Sequence, residues 1–334
     1  MKEKTISQVK IVTDFKVAKS LADIFRNINV EPIKEAPGEI YYPVNAGSRS
    51  RLIEAVETKK FKYYLQVPGL EYLYKKEWLW LSSIKNYGRP TTLAFLPPTY
   101  LLYHQPDRER LKKLVAENSG IRLIGKGNMQ KRKSIVEVVG KQWESLDSKV
   151  QTIVQEVVPC AKTIDNEVFN FRIYIVLRYA NNKIEAFLAP NGKIIYSSTV
   201  DNLITDNTVA PKNNHPHFLD EYFEQKRGLS SDEFWEKMKV ISALIFDSII
   251  ERIAHYKFDE ERLVSFLGVD VMLDENEQIK VLELNLRPQM DAINQKDAVL
   301  KQTVVADAVH HFLLNKQEPV LDWIAVESWN AVRG

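Results

Sequence analysis

Residues 268–288, GVDVMLDENEQIKVLELNLRP, decide the fold of this chain. Two apolar stretches of alternating pattern flank a polar centre, which is the pattern of a β-hairpin. If Asn276-Glu277 is a two-residue loop, the register places Asp270 directly opposite Glu283. The other pairs predicted by this register are Val271 with Leu282 and Leu273 with Lys280.

Side chains alternate between the two faces of a strand, so Asp270, Glu283 and Asn285 share one face of this hairpin. Two like charges opposite each other repel, and their burial costs several kcal/mol without compensation. A hard cation supplies that compensation, because Mg²⁺ favours carboxylate and amide oxygens together with phosphate and water. The spacing alone leaves open a two-sided hairpin whose polar face lies in water. The opposite face is expected to hold Val269, Val271, Leu273, Leu282 and Leu284.

The preceding segments predict an antiparallel central sheet. Residues 169–179 alternate strictly, which directs Arg172 away from the apolar face. Asn181-Asn182 and Asn191-Gly192 predict hairpin turns before and after the next strand. Residues 230–233, SSDE, form a capping-box pattern at the start of a helix.

Composition excludes several classes of function. The 334 residues carry 46 Lys and Arg against 44 Asp and Glu, so the net charge of +2 argues against nucleic-acid binding. With 12 glycines and neither GxGxxG nor GxxxxGK[ST], the glycine-cradle nucleotide folds are excluded. The single cysteine, Cys160, suits a reducing compartment. Because a signal-peptide pattern and a run of about 18 apolar residues are both missing, we expect a cytoplasmic protein without a membrane span.

Seven motifs in order along the chain resemble those of one family. Asp270, followed by Glu283-x-Asn285, is similar to the magnesium signature of ATP-grasp ligases, and the full set resembles the tubulin tyrosine ligase and tubulin tyrosine ligase-like family. The other matching segments are residues 95–100 (FLPPTY), 154–159 (VQEVVP) with 163–165, 169–177 (FNFRIYIVL), 201–206, Asn285 with Pro288, and the helix that carries Asp297, Leu300, Lys301 and Asp307.

This resemblance implies an α+β ATP-grasp fold, in which antiparallel sheets sandwich a nucleotide cleft beside a small N-terminal mixed α/β domain. The expected division is an N-terminal domain over residues 1–90, a central ATP-grasp subdomain over 91–196 and a C-terminal ATP-grasp subdomain over 197–334 with the magnesium hairpin. The implied cofactors are ATP and Mg²⁺, with Asp270, Glu283 and Asn285 as the metal ligands.

The family's roles, carried to matching positions, imply a nucleotide site. Lys76 and Lys126 would contact phosphates, and Arg172 would neutralise the γ-phosphate or an acyl phosphate. Arg172, Glu283 and Asn285 are the implied catalytic residues. A lone lysine or arginine is usually a surface residue, so the order of the motifs carries this assignment. The hinge that binds adenine through backbone groups is expected at Gln155, Glu156, Val157 and Val158, and the substrate side at Thr205 and Asp206.

The implied activity is that of an ATP-dependent carboxylate–amine ligase. Phosphoryl transfer to a carboxylate gives an acyl phosphate, which an amine attacks to form an amide, with release of ADP and phosphate. The partners would be an amino acid and a peptide or protein acceptor. An acidic tail is one option, since Lys131, Lys133 and Lys212 could receive it, but the net charge does not indicate one. The open alternatives are a non-catalytic nucleotide-binding module that recognises protein, and an enzyme of this fold that transfers a phosphoryl or nucleotidyl group.

Departures from the family pattern concentrate where the substrates are expected. After Lys126, the cations Lys131-Arg132-Lys133 stand where the family has glycines, so this loop either covers the phosphates or is a solvated charge run. We therefore expect an intact ATP half and a changed substrate half, with substrates that need not be tubulin and tyrosine. The other departures are Val168 for lysine, Asn170 for aspartate, Ile195 for arginine and Asp206 for asparagine.

Overall fold

Two β-sheets and the helices around them make up the protein, which is represented by a computed structural model. The structure describes residues 8–14, 16–34, 37–44, 49–58, 60–70, 73, 75–127, 135–160, 167–197, 205, 215–225, 229–255 and 262–330. These residues form a nine-stranded mixed sheet and a four-stranded antiparallel sheet. None of the helices in these ranges has both the length and the apolar character needed to cross a membrane.

The strands are β1 Val9–Thr13, β2 Val30–Ile33, β3 Ile40–Tyr42, β4 Tyr63–Tyr64, β5 Thr99–Leu101, β6 Arg122–Lys126, β7 Ile135–Val139, β8 Ile153–Glu156, β9 Phe169–Ala180, β10 Lys183–Tyr196, β11 Arg262–Leu273, β12 Ile279–Asn285 and β13 Ile324–Asn330. The large sheet has the order β13-β10-β9-β11-β4-β3-β1-β2, with β12 also paired to β11, and the small sheet has the order β5-β8-β6-β7.

The helices are α1 Lys19–Asn27, α2 Arg49–Glu57, α3 Lys76–Phe95, α4 Gln105–Glu117, α5 Leu219–Gln225, α6 Ser231–Asp247, α7 Ile250–Ala254 and α8 Gln295–Ala306. A 3₁₀ turn covers Gly140–Ser145, and α8 continues as a wider helical segment over Asp307–Leu313. The predicted capping box is confirmed at α6, where the N–H of Glu233 donates to Ser230 Oγ at 3.2 Å and the N–H of Ser230 donates to Glu233 Oε2 at 3.0 Å.

Helices cover both faces of the large sheet, so both faces of β9 are buried. Phe171 packs in one core with Phe234 of α6, and Val176 packs in another with Val304 of α8. Arg172 leaves the first core as predicted. It does not reach water, however, because the second face of the sheet is covered as well, and Arg172 is only 5% exposed.

The two predicted turns around β10 have opposite outcomes. Asn181-Asn182 is a hairpin turn, with φ of 53° and 58° at its two residues, as predicted. The prediction of a second turn at Asn191-Gly192 is wrong, because both residues lie inside β10 at a register shift between Leu188 and Gly192. A Cβ at Gly192 would lie 2.6 Å from the carbonyl oxygen of Arg172. Glycine therefore serves a close strand approach at a bulge here rather than a turn.

The β11–β12 hairpin departs twice from the predicted register. Its loop contains three residues, 275–277, rather than two. The N–H of Asp274 donates to the carbonyl of Gln278 at 2.9 Å, and Glu277 adopts the left-handed conformation with φ of 59°. Such a loop is a common three-residue hairpin connection. It moves the strand pairing by one residue.

A bulge beyond Val271 restores the predicted pairing at the acidic residues. The register shifts between Asp270 and Val271, with Leu282 as the extra residue on β12, so Asp270 lies opposite Glu283 as predicted. On the loop side of the bulge the predicted partners are wrong. The observed pairs there are Val271 with Val281, Met272 with Lys280 and Leu273 with Ile279. On the apolar face of the hairpin, Val281 therefore lies in the core in place of Leu282.

Sheet membership does not coincide with the expected boundaries at residues 90 and 196. The small sheet lies within 91–196, whereas the large sheet contains strands from all three expected regions. Helix α3 crosses residue 90 and kinks at Gly88, which has φ of 72°. The division into three domains stays a prediction.

Candidate active site

A row of charged residues crosses four neighbouring strands of the large sheet. Lys193 on β10 pairs with Arg172 on β9, Arg172 pairs with Asp270 on β11, and Asp270 pairs with Glu283 on β12. Directly opposite residues project from the same face, so these four side chains lie side by side on one face of the sheet. We call them the charged row. Lys193, Arg172 and Asp270 are 3%, 5% and 6% exposed.

The centre of the charged row is a bidentate ion pair. Arg172 Nε lies 2.5 Å from Asp270 Oδ1, and Arg172 Nη2 lies 2.7 Å from Asp270 Oδ2. Burial alone would lower the pKa of Arg172, but the charge of Asp270 outweighs burial and raises it. Burial raises the pKa of Asp270 despite the opposing charge of Arg172, and the nearby charge of Glu283 raises it further. The guanidinium therefore stays charged and holds the carboxylate in a fixed orientation.

The second carboxylate of the row is paired with a lysine from the N-terminal part of the chain. Lys76, the first residue of α3, places Nζ 2.8 Å from Glu283 Oε2. Asn285 Nδ2 donates to Glu283 Oε1 at 3.2 Å and to Asp270 Oδ2 at 3.4 Å. Burial alone would raise the pKa of Glu283, but the charge of Lys76 lowers it to about 2. Arg172 and Lys76 thus compensate the repulsion that the sequence predicts between the two carboxylates.

The small sheet contributes a buried lysine from the other side. Lys126 ends β6, and its Nζ donates to Gln155 Oε1 at 2.5 Å, while Gln155 Nε2 donates to Thr99 Oγ1 at 3.0 Å. Burial lowers the pKa of Lys126 to about 8, the like charge of Lys76 adds to this, and Glu283 opposes it. The structure therefore brings the two predicted phosphate-binding lysines together beside Asp270, Glu283 and Asn285. We call these three residues the carboxylate corner.

The expected hinge residues lie at the end of β8, where much of the backbone is already engaged. The N–H of Glu156 donates to the carbonyl of Pro98 at 2.9 Å, and the N–H of Val157 donates to the carbonyl of Arg122 at 3.1 Å. Gln155 pairs within the sheet, and its side chain contacts Lys126. The N–H groups of Glu156 and Val157 are therefore already engaged, and adenine binding at this edge stays a prediction.

Of the remaining predicted residues, the structure describes Thr205, which is not joined to the charged row. Thr205 forms an isolated bridge with Ser197, just beyond β10, and makes no hydrogen bond or ion pair with the row in the described part of the chain. Asp206 lies outside the described residues, so its expected role stays a prediction. The same holds for the loop with Lys131, Arg132 and Lys133, for residues 163–165 and 201–204, and for Lys212.

Sequence reasoning missed Lys193. The predicted turn at Asn191-Gly192 places Lys193 in a separate strand, away from Arg172. A strand that continues through a bulge at these two residues places Lys193 beside Arg172 instead. Its Nζ lies 3.7 Å from Asp297 Oδ2. Burial lowers the pKa of Lys193 to about 8, and the like charge of Lys301 contributes.

Gly268 is a second residue that sequence reasoning missed. It lies between Tyr174 on β9 and Asn285 on β12. A Cβ at this position would lie 2.9 Å from Arg172 Cδ and 2.9 Å from Pro288 Cβ. Arg172 therefore passes over a strand position that has no side chain.

The carboxylate corner fits a hard divalent cation. Asp270 and Glu283 offer carboxylates and Asn285 an amide, which is the donor chemistry that Mg²⁺ favours. Asp270 Oδ1 accepts one hydrogen bond, from Arg172, and keeps a further lone pair, whereas Oδ2 accepts from both Arg172 and Asn285. The Asn285 amide would turn to offer Oδ1 instead of Nδ2. Within the described ranges no group of three or more His, Cys, Asp or Glu side chains could hold a metal, so the amide is needed to complete this set.

The mixed α/β architecture, with an antiparallel sheet beside a mixed one, is compatible with an ATP-grasp-like fold. The model of the Tubulin-tyrosine ligase family matches residues 196–320, which include Asp270, Glu283 and Asn285. The match confirms the family resemblance drawn from the motifs over residues 196–320. The match supports, in general terms, a tubulin tyrosine ligase-like ATP-dependent ligase. No curated protein matches the chain.

Proposed function

We propose that this protein is an ATP-dependent carboxylate–amine ligase that joins an amino acid to a peptide or protein carboxylate. The observation that carries the proposal is the convergence of Lys76, Lys126 and Arg172 on the Asp270–Glu283 pair. Three cations beside two carboxylates suit a polyphosphate that arrives with a divalent cation. The family match supports the same class of reaction.

The cations of this site would bind phosphate by exchanging partners. Lys76 and Lys126 would contact the β- and γ-phosphates, and Arg172 would neutralise charge on the transferred phosphoryl group. Asp270, Glu283 and Asn285 would hold Mg²⁺, which would supply Lewis-acid stabilisation of negative charge on the phosphates. The ion pairs of Lys76 and Arg172 hold both cations in place before the nucleotide arrives. Binding then requires little reorganisation of these side chains.

The proposed reaction has two balanced steps. In the first step, a carboxylate oxygen bonds to the γ-phosphorus while the bond from that phosphorus to the ADP oxygen breaks. In the second step, the amine nitrogen bonds to the acyl carbon, the carbon–oxygen bond to phosphate breaks, and the nitrogen gives its proton to solvent. Neither step needs a protein nucleophile. Positioning and charge neutralisation are therefore what the side chains supply.

The remaining assignments belong to the same proposal. Residues 1–90 would contribute Lys76, residues 91–196 would contribute Lys126, Arg172 and the adenine-binding edge at Val158, and residues 197–334 would contribute the magnesium hairpin. Thr205 and Asp206 would lie on the substrate side.

The test is phosphate release from ATP with Mg²⁺, screened over the common amino acids with and without acidic peptides, with mass spectrometry of the products. We expect phosphate release together with an amide product. Glu283→Gln should reduce the rate at least about a hundredfold, because it removes a metal ligand. The matched control is Glu275→Gln, at an exposed glutamate in the loop of the same hairpin.

Three results would contradict the ligase. If the protein neither binds nucleotide nor releases phosphate, the proposed ATP site is wrong. ADP formed without an amide would indicate phosphoryl transfer. AMP attached to protein would indicate nucleotidyl transfer.

A further inference from the structure

Near the β10 end of the charged row, two buried donors have no hydrogen-bond acceptor among the residues that the structure describes. Lys193 is 3% exposed, and its ion-pair partner, Asp297 Oδ2, lies 3.7 Å away, which is beyond hydrogen-bond distance. Tyr174, two residues after Arg172 on the same face of β9, is fully buried. Its hydroxyl has no hydrogen-bond partner among the residues that the structure describes. Buried polar groups are rarely left unpaired, so this pair of donors indicates a ligand.

Asp297 cannot satisfy these donors with the oxygen that faces Lys193. Its Oδ2 already accepts from Lys301 Nζ at 2.9 Å and from the N–H of Ile293 at 3.1 Å. Its Oδ1 is buried and has no partner in the described part of the chain. The site therefore offers two donors, from Lys193 and Tyr174, and one acceptor beside them.

The chemistry of these groups identifies an α-carboxylate. An ammonium and a neutral hydroxyl donate to the two oxygens of a carboxylate, and burial raises the pKa of Tyr174, so its hydroxyl keeps the proton. The acceptor Asp297 Oδ1 suits an N–H close to that carboxylate. An amino acid or the C-terminal residue of a peptide has its N–H on the carbon next to the carboxylate, whereas a glutamate side chain does not.

The order of the charged row places such a carboxylate beside the phosphoryl group. Neighbouring strands are about 4.8 Å apart, so Arg172 lies one strand from Lys193 on one side and one strand from Asp270 on the other. A phosphoryl group held between Arg172 and the carboxylate corner would therefore lie next to a carboxylate held by Lys193.

We propose that Lys193 and Tyr174 bind the α-carboxylate that receives the phosphoryl group, with Asp297 Oδ1 accepting the adjacent N–H. This assignment rests on the ligase function proposed above and defines the substrate end of the same site. One oxygen of the bound carboxylate forms the new bond to phosphorus while the bond from phosphorus to ADP breaks. The charge of Lys193 then replaces the cation that the family pattern would place at Ile195.

The test is ligand-observed saturation-transfer NMR on the full chain with Mg²⁺ and a non-hydrolysable ATP analogue. One set of probes is the common L-amino acids, and the other is a glutamate-containing peptide with either a free or an amidated C-terminus. Because the proposed reaction activates the carboxylate of the peptide, we expect a signal from the free-C-terminus peptide and none from the amidated peptide. A free amino acid that displaces the free-C-terminus peptide would contradict this source of the carboxylate.

Variants separate this binding role from a structural one. Lys193→Met and Tyr174→Phe should each weaken carboxylate binding at least about tenfold, because a charged or buried hydrogen bond is lost. Lys193→Arg should retain binding, and all three should keep the affinity for the ATP analogue. Tyr174→Phe preserves the ring, so it remains informative if Lys193→Met fails to fold. The matched controls on the same two strands are Lys183→Met and Tyr179→Phe.

Several outcomes would overturn the assignment. They are equal signals from the free and amidated peptides, carboxylate binding unchanged in both Lys193→Met and Tyr174→Phe, and no carboxylate signal from a wild-type protein that binds the ATP analogue. Failure to bind the ATP analogue at all would instead contradict the ligase function and the carboxylate site with it.

Discussion

The two ends of the charged row differ in how their charges are paired. At the β12 end, Lys76 lies 2.8 Å from Glu283, and next to it Arg172 binds Asp270 through two hydrogen bonds. At the β10 end, Lys193 lies 3.7 Å from an already occupied carboxylate oxygen. The cations at the first end are paired with carboxylates and would exchange these partners for phosphate when a nucleotide binds. At the second end, Lys193 and Tyr174 have no hydrogen-bond acceptor among the described residues, and a substrate carboxylate would supply one.

The two ion pairs of the row should differ most in stability. Asp270→Ala leaves the buried Arg172 unpaired and should lower the free energy of unfolding by about 3–5 kcal/mol. Glu283→Ala should lower it by no more than about 1 kcal/mol, because the Glu283 side chain is 29% exposed and its removal also relieves repulsion with Asp270. Urea unfolding of both variants measures the difference. Equal losses would contradict the contrast between a buried and a half-buried pair.

Gly268→Ala tests whether the position of Arg172 depends on having glycine, with no Cβ, beneath it. The added methyl group would lie 2.9 Å from Arg172 Cδ and should destabilise the protein by about 1–3 kcal/mol. The matched control is Gly120→Ala, where the nearest atom to a Cβ is 3.9 Å away. Both are compared by thermal or urea unfolding. A loss in Gly268→Ala no larger than in the control would show that Arg172 does not need this gap.

Nucleotide affinity should depend on pH through the lysine of the small sheet. The pKa of Lys126 is lowered to about 8 by burial, and polyphosphate binds its protonated form. Affinity for the ATP analogue should therefore be constant below about pH 8 and fall by up to about tenfold per pH unit above it. Calorimetry across this range measures the change. Because arginine stays charged, Lys126→Arg should reduce the decline, and a wild-type affinity that is flat above pH 8 would contradict the assignment.

The smallest effect is expected away from the row, at the start of α6. Ser230→Ala removes the side-chain cap and should cost about 1 kcal/mol of stability without changing nucleotide affinity. Urea unfolding and calorimetry on one sample measure both quantities. A change in affinity from this distant position would mean that stability, rather than the charged row, controls binding.

The acidic pair could be predicted from the sequence although the hairpin details were not. Asp270 and Glu283 are opposite each other because a longer loop and a bulge at Leu282 shift the register in opposite directions. Alternation predicts which residues share a face, but a bulge depends on local strand geometry that the pattern does not contain. The same limit explains the missed contribution of Lys193, since Asn191-Gly192 reads as a turn and serves as a bulge.

The sequence pattern also could not predict that the face carrying the charged row is buried. The alternation of β9 predicts that Arg172 leaves the apolar core, but it does not show that the opposite side of the sheet is covered as well. Because both faces of the sheet are covered, the two carboxylates of the row need cationic partners. Arg172 pairs with Asp270, and Lys76 pairs with Glu283. Those partners come from distant parts of the chain, so only the tertiary structure reveals them.

The most direct test of the central claim is calorimetric titration of a non-hydrolysable ATP analogue with and without Mg²⁺, on the wild type and on Glu283→Gln. The charged row should give the wild type a clear gain in affinity from Mg²⁺. The variant should lose most of that gain. Binding that is independent of Mg²⁺ in the wild type, or a gain that is unchanged in Glu283→Gln, would contradict the account.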